Sequence, residues 1–259
     1  MYYRRKILLS LLESNNSKLE KLKLYKLLLI LSERQSKRCY NFVPYKYGCY
    51  SFQANADLNT MRKYNLVEES KKYWIKTDSK KYLNELTKED GDLIATLKDE
   101  FDSFSKIDLI KYTYINYPYY AINSIISYKL LTQTEMSIVN SSVRKRKGKT
   151  LFTIGYEGIS IEEYLNRLIK NDVKVLCDVR KNPISMKYGF SKNQLSKACE
   201  SLGIIYRHKP GLGISSANRK NLNTQKEYNI LFEGLKFTKL KDVNISFTDS
   251  IRPSKVLNF

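Results

Sequence analysis

Three short segments in the second half of the chain combine charged side chains with glycines. They are residues 155–158 (Gly-Tyr-Glu-Gly), residues 178–183 (Asp-Val-Arg-Lys-Asn-Pro) and residues 207–213 (Arg-His-Lys-Pro-Gly-Leu-Gly). Carboxylate, guanidinium and imidazole groups are the side chains that acid–base chemistry and anion recognition use. We therefore place the candidate chemistry of the chain in these three segments.

Asp178 and Arg180 are the first candidates for catalysis. Asp178 ends an apolar run, so it should be partly desolvated, with Arg180 close enough to keep its carboxylate ionised. A structural ion pair or a helix cap would use the same residue types, but chemistry is the favoured interpretation. Glu157, the third catalytic candidate, is balanced between the two interpretations. The candidates for substrate binding are Tyr156, Tyr206, His208, Lys187 and Gly213.

The elements around these segments alternate between strand and helix. Apolar runs at 151–154, 173–177 and 204–206 predict strands, and residues 160–170 and 191–202 predict helices capped by serine and, for the second, ended by Gly203. Short connections in this order predict right-handed crossovers and a parallel sheet. Because ligands bind at the carboxyl ends of parallel strands, the three segments should meet there.

The first half of the chain predicts mostly helix. Helices over 1–14, 18–32 and 51–64 precede a hairpin at 66–75, which is the order of a winged-helix module, although any small α+β bundle shares it. Further helices are predicted over 85–140. Their tyrosine-rich segment at 112–120 is expected to pack between helices, with base stacking as the alternative.

We expect three regions from this pattern: a winged-helix-like module over 1–84, a helical linker region with a basic end over 85–149, and an α/β domain over 150–259.

The net charge indicates a polyanionic partner. The chain has 46 Lys and Arg against 26 Asp and Glu, a net charge of +20, and such an excess attracts nucleic acid. We favour duplex DNA over RNA as the partner, although the charge fits both. No apolar stretch is long enough to predict a membrane-spanning segment. The candidate DNA contacts are Lys46, Arg62, Lys63, Lys71, Lys72, Arg144, Lys145, Arg146 and Lys147. These side chains are more suited to contacting phosphates than to reading base edges.

Cysteine and histidine usage limits the chemistry. The four cysteines lie ten or more residues apart without zinc spacing and no secretory signal is recognisable, so reduced thiols and a cytoplasmic location are expected. The single histidine, His208, excludes a multi-histidine metal site. The glycine-containing segments at 155–158 and 207–213 match neither a dinucleotide-binding fingerprint nor a P-loop. We therefore expect no cofactor and no metal.

The polar segments resemble the DUF 488 family, a domain of unknown function, over roughly residues 150–235. The likeness rests on residues 153–158, 178–183, 190–191 and 206–213. It implies a Rossmann-like α/β domain, a polar site using Asp178 and Arg180, and a DNA-modification or phage-defence context, but it fixes no activity. Residues 42–48 and 51–52 are similar to a winged-helix-like extension found on some of these proteins.

One departure from the family pattern bears on catalysis. Such domains usually carry a Cys-His-Arg motif near the C-terminus, and this chain, which stops at Phe259, has none. A truncated or diverged member with an incomplete site would show this pattern, which weakens the case for catalysis more than the case for the fold.

Two functions fit these observations. The first is a DNA glycosylase-like hydrolase, in which Asp178 stabilises an oxocarbenium ion or orients water, Arg180 orients Asp178 or holds a phosphate, and Tyr156 or Tyr206 stacks a flipped base. The second is a non-catalytic DNA-binding regulator whose α/β domain binds a ligand or partner. We favour the enzyme narrowly. A metal-dependent nuclease is weaker, because Glu157 and Asp178 form no tight carboxylate cluster.

Overall fold

The computed structural model describes residues 1–143, 145–148 and 150–213 of the chain, which has mixed α/β structure. It divides into two compact units. The first comprises Met1–Lys147 and Tyr156–Val173, and the second comprises Gly148–Gly155 and Lys174–Phe259. The second unit therefore begins again at the strand that carries Asp178.

The first unit is built mainly from helices, with short strands between them. Its elements in chain order are α1 (Tyr3–Ser14), β1 (Lys18–Glu20), α2 (Lys21–Arg34), β2 (Val43–Tyr45), β3 (Gly48–Tyr50), α3 (Phe52–Lys63), β4 (Val67–Glu69), β5 (Tyr73–Lys76), α4 (Lys88–Phe101), α5 (Lys106–Asn116), α6 (Ser127–Leu130), α7 (Gln133–Ser141) and α8 (Ile161–Lys170). Short 3-10 helices lie at Leu83–Glu85 and Pro118–Ala121. The predicted helices of the first half are confirmed, whereas β1 and the β2–β3 hairpin were not predicted.

A three-stranded antiparallel sheet joins distant parts of the first unit. Its order is β1-β5-β4, with Leu19 opposite Trp74 and Val67 opposite Lys76. Leu19 and Trp74 are both buried against α1 and α2, whose leucine-rich faces supply most of the core. Burial of this apolar area is the main stabilising contribution to the unit.

The tyrosine-rich segment packs between helices, as expected. Tyr114 is buried, and Tyr112 packs against Phe101 and Phe104 with edge-on rings. Tyr120 donates to Glu33 and Tyr119 donates to Asn166 of α8. The tyrosine rings of this segment therefore pack in or against the core of the first unit.

Helix α8 is fixed within the first unit by a buried carboxylate. Glu162 is fully buried and accepts hydrogen bonds from the Gln53 N–H (2.8 Å) and the Ser51 hydroxyl (3.3 Å) at the start of α3. Burial raises the pKa of the Glu162 carboxyl. Asn166, one turn further along α8, donates to the Phe42 carbonyl. The predicted cap is confirmed, since Ser160 and Glu163 form a capping box.

The second unit contains a parallel strand pair with a helix between its strands. These elements are β6 (Val175–Asp178), α9 (Lys192–Ser201) and β7 (Ile205–His208), followed by a 3-10 helix at Pro210–Leu212. The pair runs parallel with Leu176 opposite Tyr206, so this part of the predicted sheet is confirmed. Gly203, with φ of +74°, follows the end of α9 as predicted.

Two local predictions in this region were wrong. No strand forms over residues 151–154, where Leu151 is 75% exposed; an apolar run becomes a strand only where a neighbouring strand pairs with it. Ser191 does precede α9, but its hydroxyl donates to the Ser185 carbonyl (3.0 Å) instead of capping the helix.

Gly48 allows the β2–β3 hairpin to approach a buried lysine. The Lys26 ammonium is almost fully buried and donates to the Tyr47 carbonyl at 2.7 Å, and burial lowers its pKa. Gly48 has φ of +95°, and a Cβ placed there would lie 2.2 Å from Lys26 Nζ and 2.6 Å from Tyr114 Cε1. Both the conformation and the space therefore require glycine.

We expect Gly48→Ala to destabilise the first unit by about 3 kcal/mol, from backbone strain plus overpacking. Urea unfolding followed by circular dichroism measures the change. The matched control is Gly91→Ala in α4, where an added Cβ meets no atom within 4 Å and should stabilise by about 0.5 to 1 kcal/mol. Equal stability of the two variants would contradict the close packing described at Gly48.

Candidate functional site

Asp178 occupies the carboxyl end of β6, where the pairing with β7 continues into the following loop. Its backbone carbonyl accepts from the Lys209 N–H at 2.9 Å. Along β6, Leu176 and Asp178 are buried, whereas Val175 and Cys177 are exposed. This alternation places the Asp178 side chain on the covered face of the strand pair, and the residue is only 6% exposed.

The Asp178 carboxylate receives a two-pronged hydrogen bond from Arg180. Arg180 Nε lies 2.9 Å from Oδ1 and Arg180 Nη2 lies 2.6 Å from Oδ2. The Arg180 backbone N–H also donates to Oδ1 at 3.1 Å, and the Tyr206 hydroxyl donates to Oδ2 at 2.6 Å. Both carboxylate oxygens are therefore occupied, and the bidentate geometry is the strongest that arginine offers.

The protonation states of this cluster follow from its contacts. Burial alone would raise the pKa of the Asp178 carboxyl, but the hydrogen bonds from Arg180 and Tyr206 outweigh burial and bring that pKa to about 2. Burial and the hydrogen bond to Asp178 raise the pKa of the Tyr206 hydroxyl far above its usual value. At neutral pH the site thus contains an ionised carboxylate, a guanidinium and a neutral phenol.

Two further contacts fix the Arg180 backbone and side chain. Arg180 Nη1 donates to the Phe190 carbonyl at 2.8 Å, and Phe190 is fully buried. His208 Nε2 lies 2.9 Å from the Arg180 carbonyl oxygen. Since a carbonyl only accepts, Nε2 is the donor in this contact.

Gly213 lies against the same loop. A Cβ at this position would be 1.9 Å from the Val179 carbonyl oxygen and 3.2 Å from the Lys181 nitrogen. Lys187 is half-buried with its ammonium 5.5 Å from the centre of the Phe190 ring. The structure therefore gathers Asp178, Arg180, Tyr206, His208 and Gly213 into one cluster, with Lys187 at Phe190.

Tyr156 and Glu157 belong to the first unit, whereas the residues of this cluster belong to the second unit. Glu157 is exposed and Tyr156 half-buried.

The candidate DNA contacts lie in several parts of the first unit. Lys46 is exposed in the turn of the β2–β3 hairpin, Arg62 and Lys63 are exposed in the last turn of α3, and Lys71 and Lys72 are exposed between β4 and β5. Lys145, Arg146 and Lys147 are exposed as well, while Arg144 lies outside the described residues.

Two of these candidate cations have partners within the first unit. The Arg62 guanidinium pairs with Glu69. Arg146 contacts Asn171 and Asp172. The lysines at positions 63, 71 and 72 make no ion pair in the described part of the chain.

Two contacts were not predicted from the sequence: that of Arg180 with the Phe190 carbonyl, and that of the Glu162 carboxylate with the start of α3. A backbone acceptor such as the Phe190 carbonyl has no side-chain signal in the sequence. The signal at Glu162 was its place on the apolar side of α8, next to Ile161 and Leu165. A carboxylate at such a position must find buried donors.

Comparison with known proteins agrees with the sequence motifs. Residues 160–237 match the family model described as Domain of unknown function DUF488. This confirms the resemblance for that part of the chain. The DUF488 match includes α8 of the first unit and the whole described cluster around Asp178. No curated protein and no solved structure matches the chain.

None of the helices in the described part of the chain combines the length and apolar character needed to cross a membrane. No group of three or more His, Cys, Asp and Glu side chains within residues 1–143, 145–148 and 150–213 is placed to hold a metal ion. All four cysteines are free thiols.

The lowered pKa of Asp178 predicts an acid-sensitive second unit. Its folded pKa of about 2 lies below the ordinary 3.8, so its stabilisation is complete above about pH 4 and is lost as pH falls through about 2. We expect Asp178→Asn to lower the free energy of unfolding by about 2 kcal/mol at neutral pH, and to weaken the dependence of that free energy on pH in the acid range. Hydrogen exchange of the β6 and β7 amides from about pH 5 downwards measures both effects.

The control for this prediction is Glu200→Gln, which removes an exposed carboxylate of α9 in the same unit. It should leave the exchange of β6 and β7 unchanged. Wild-type acid dependence in Asp178→Asn would show that the ion pair does not stabilise the folded unit.

Proposed function

We propose that the protein binds duplex DNA through a winged-helix-like first unit. The order α1, β1, α2, α3, β4, β5 together with the sheet order β1-β5-β4 supports this proposal, since a winged helix combines a helical core with a basic hairpin that lies on the DNA backbone. The β2–β3 hairpin is an insertion between α2 and α3.

The observation that carries the proposal is a set of exposed cations beside this motif that form no ion pair with the described residues. Lys63 ends α3, and Lys71 and Lys72 lie at the tip of the β4–β5 hairpin, all three exposed. The start of α3 is occupied by the Glu162 carboxylate. Contacts from the end of α3 and from the hairpin therefore suit phosphates more than base edges.

Charge neutralisation at the hairpin gives a measurable prediction. We expect the triple variant Lys63→Ala/Lys71→Ala/Lys72→Ala, the hairpin variant, to weaken duplex binding at least 10-fold and to lower the slope of log affinity against log salt by about 2.7, from about 0.9 per phosphate. Fluorescence anisotropy with a labelled duplex at several salt concentrations measures both.

A charge-matched control separates this surface from the overall charge. The control variant replaces Lys88, Lys111 and Lys129, which are exposed on α4, α5 and α6, by alanine. It should change duplex affinity about 2-fold or less. If the control variant loses as much affinity and slope as the hairpin variant, the winged-helix assignment fails.

We further propose N-glycosidic hydrolysis of a nucleobase as the chemistry of a Rossmann-like second unit. The supporting observation is a carboxylate that stays ionised in a buried position at the carboxyl end of a parallel strand pair. In this reaction the bond between sugar C1′ and the base nitrogen breaks and the electron pair leaves with the base. Water then adds to C1′, and the proton that it releases passes to the departing base. A nearby carboxylate stabilises the oxocarbenium character of the transition state.

The occupancy of the carboxylate supports a different candidate. Arg180 neutralises Asp178, and both oxygens already accept hydrogen bonds. An arrangement of this kind holds a loop in place, which fits a non-catalytic DNA-binding regulator whose second unit binds a small ligand or a partner.

A base-excision assay decides between these candidates. Purified protein is incubated with end-labelled duplexes that carry unmodified, methylated, hydroxymethylated or glucosylated bases, and alkali then reveals abasic sites. For the hydrolase we expect alkali-dependent cleavage at one base that Asp178→Asn abolishes, with the variant still folded at neutral pH by circular dichroism. DNA binding with no cleavage of any substrate would establish the regulator. Cleavage without alkali would indicate a nuclease or lyase.

A further inference from the structure

A groove in the second unit runs between α9 and β7, and its lining shares Tyr206 and His208 with the cluster around Asp178. Helix α9 contributes Lys192, Lys197 and Glu200, and β7 contributes Tyr206, Arg207 and His208. Asn193 and Ser196 complete the lining. Lys192, Ser196 and Glu200 follow one another at four-residue spacing, and Lys197 lies four positions after Asn193, so these residues share one broad face of α9.

The charge of this groove is not balanced by its surroundings. Between residues 174 and 213 the chain has eight lysines and arginines, whereas Asp178 and Glu200 are the acidic residues. Asp178 is neutralised by Arg180, and Glu200 accepts a hydrogen bond from Ser196. Within the described part of the chain, Lys192, Lys197 and Arg207 form no ion pair and are exposed. Among the described residues, the lining of the groove thus combines three cations that form no ion pair with one carboxylate, that of Glu200.

Tyr206 adds a fixed aromatic ring to these cations. Its hydroxyl is held by Asp178 at 2.6 Å, so the ring cannot rotate away from the groove without losing a charge-assisted hydrogen bond. A cationic groove with an aromatic side chain is the arrangement by which proteins hold single-stranded nucleic acid, since the cations follow the phosphates and the ring stacks on a base.

We infer that the groove between α9 and β7 binds a single strand of DNA, with its phosphates on Lys192, Lys197 and Arg207 and a base against Tyr206. The inference deepens the proposed function, on which it rests for its choice of DNA. In this arrangement Asp178 also holds the Tyr206 ring in place through its hydroxyl. A strand separated from its duplex, or a nucleotide turned out of it, is the form of DNA that this groove accepts.

The test uses the full chain and two probes, a labelled oligo-dT strand and a labelled duplex, followed by fluorescence anisotropy. The groove variant is Lys192→Ala/Lys197→Ala/Arg207→Ala. We expect it to weaken oligo-dT binding at least 10-fold and to lower the salt slope by about 2, from about 0.7 per phosphate of a single strand. The control variant at Lys88, Lys111 and Lys129 carries the same charge change and should retain oligo-dT affinity within about 2-fold.

The ring is tested separately from the charges. We expect Tyr206→Phe, which keeps the ring, to bind oligo-dT within about 3-fold of wild type, and Tyr206→Leu to lose about 5-fold or more. Circular dichroism and melting curves verify that both variants fold. Equal affinity of the two folded variants would overturn the stacking part of the inference.

The remaining outcomes separate this inference from the proposed function. If the groove variant and the control variant lose oligo-dT affinity equally, the groove is not the strand site, whatever the hairpin variant does to duplex binding. If the groove variant alone loses oligo-dT affinity while the hairpin variant keeps duplex affinity, the inference holds and the winged-helix proposal fails. Displacement of oligo-dT by inorganic phosphate, but not by chloride at equal ionic strength, would assign the groove to a single free phosphate and overturn the inference.

Discussion

A buried carboxylate must be paired and hydrogen-bonded, because the free energy of removing an ion from water is otherwise not recovered. Asp178 meets this requirement through Arg180 and Tyr206, and the second unit is arranged around that need. The Arg180 side chain is held in turn by the Phe190 carbonyl, and its backbone by His208. A loop, a helix start and a strand are thus fixed by one charge pair, and removing Arg180 would leave the buried Asp178 carboxylate without its counter-charge.

The first unit shows the same constraint in a different form. Its buried ionisable groups include Lys26, which donates to a hairpin carbonyl, and Glu162, one oxygen of which accepts from the Gln53 N–H of α3. Asp57 of α3 is likewise buried and accepts from Arg4 and Arg5 of α1. Each of these contacts joins elements far apart in the chain, so they specify which helix packs where, in addition to the apolar core that supplies most of the stability.

This arrangement divides the cations of the protein into two groups. Cations that neutralise buried acids hold the structure together, and only the others are available to a polyanion. In the first unit these include Lys63, Lys71 and Lys72, and in the second they include the cations of the groove beside Tyr206. A DNA-binding protein with one surface for duplex phosphates and another for an unpaired strand would be suited to act on, or to mark, a base that has left the helix.

The sequence by itself determined the local structure and the charge. Apolar periodicity located the helices of the first half, α8, α9 and the parallel pair, and the spacing of Asp178 and Arg180 indicated an ion pair, because these signals depend on residues close in the chain. Only the tertiary structure decided that both oxygens of Asp178 are occupied, that Gly213 lies against the Val179 carbonyl, that α8 packs on α3 through Glu162, and that residues 151–154 form no strand. These contacts join residues many positions apart, and a pattern read along the chain carries no record of which distant groups meet.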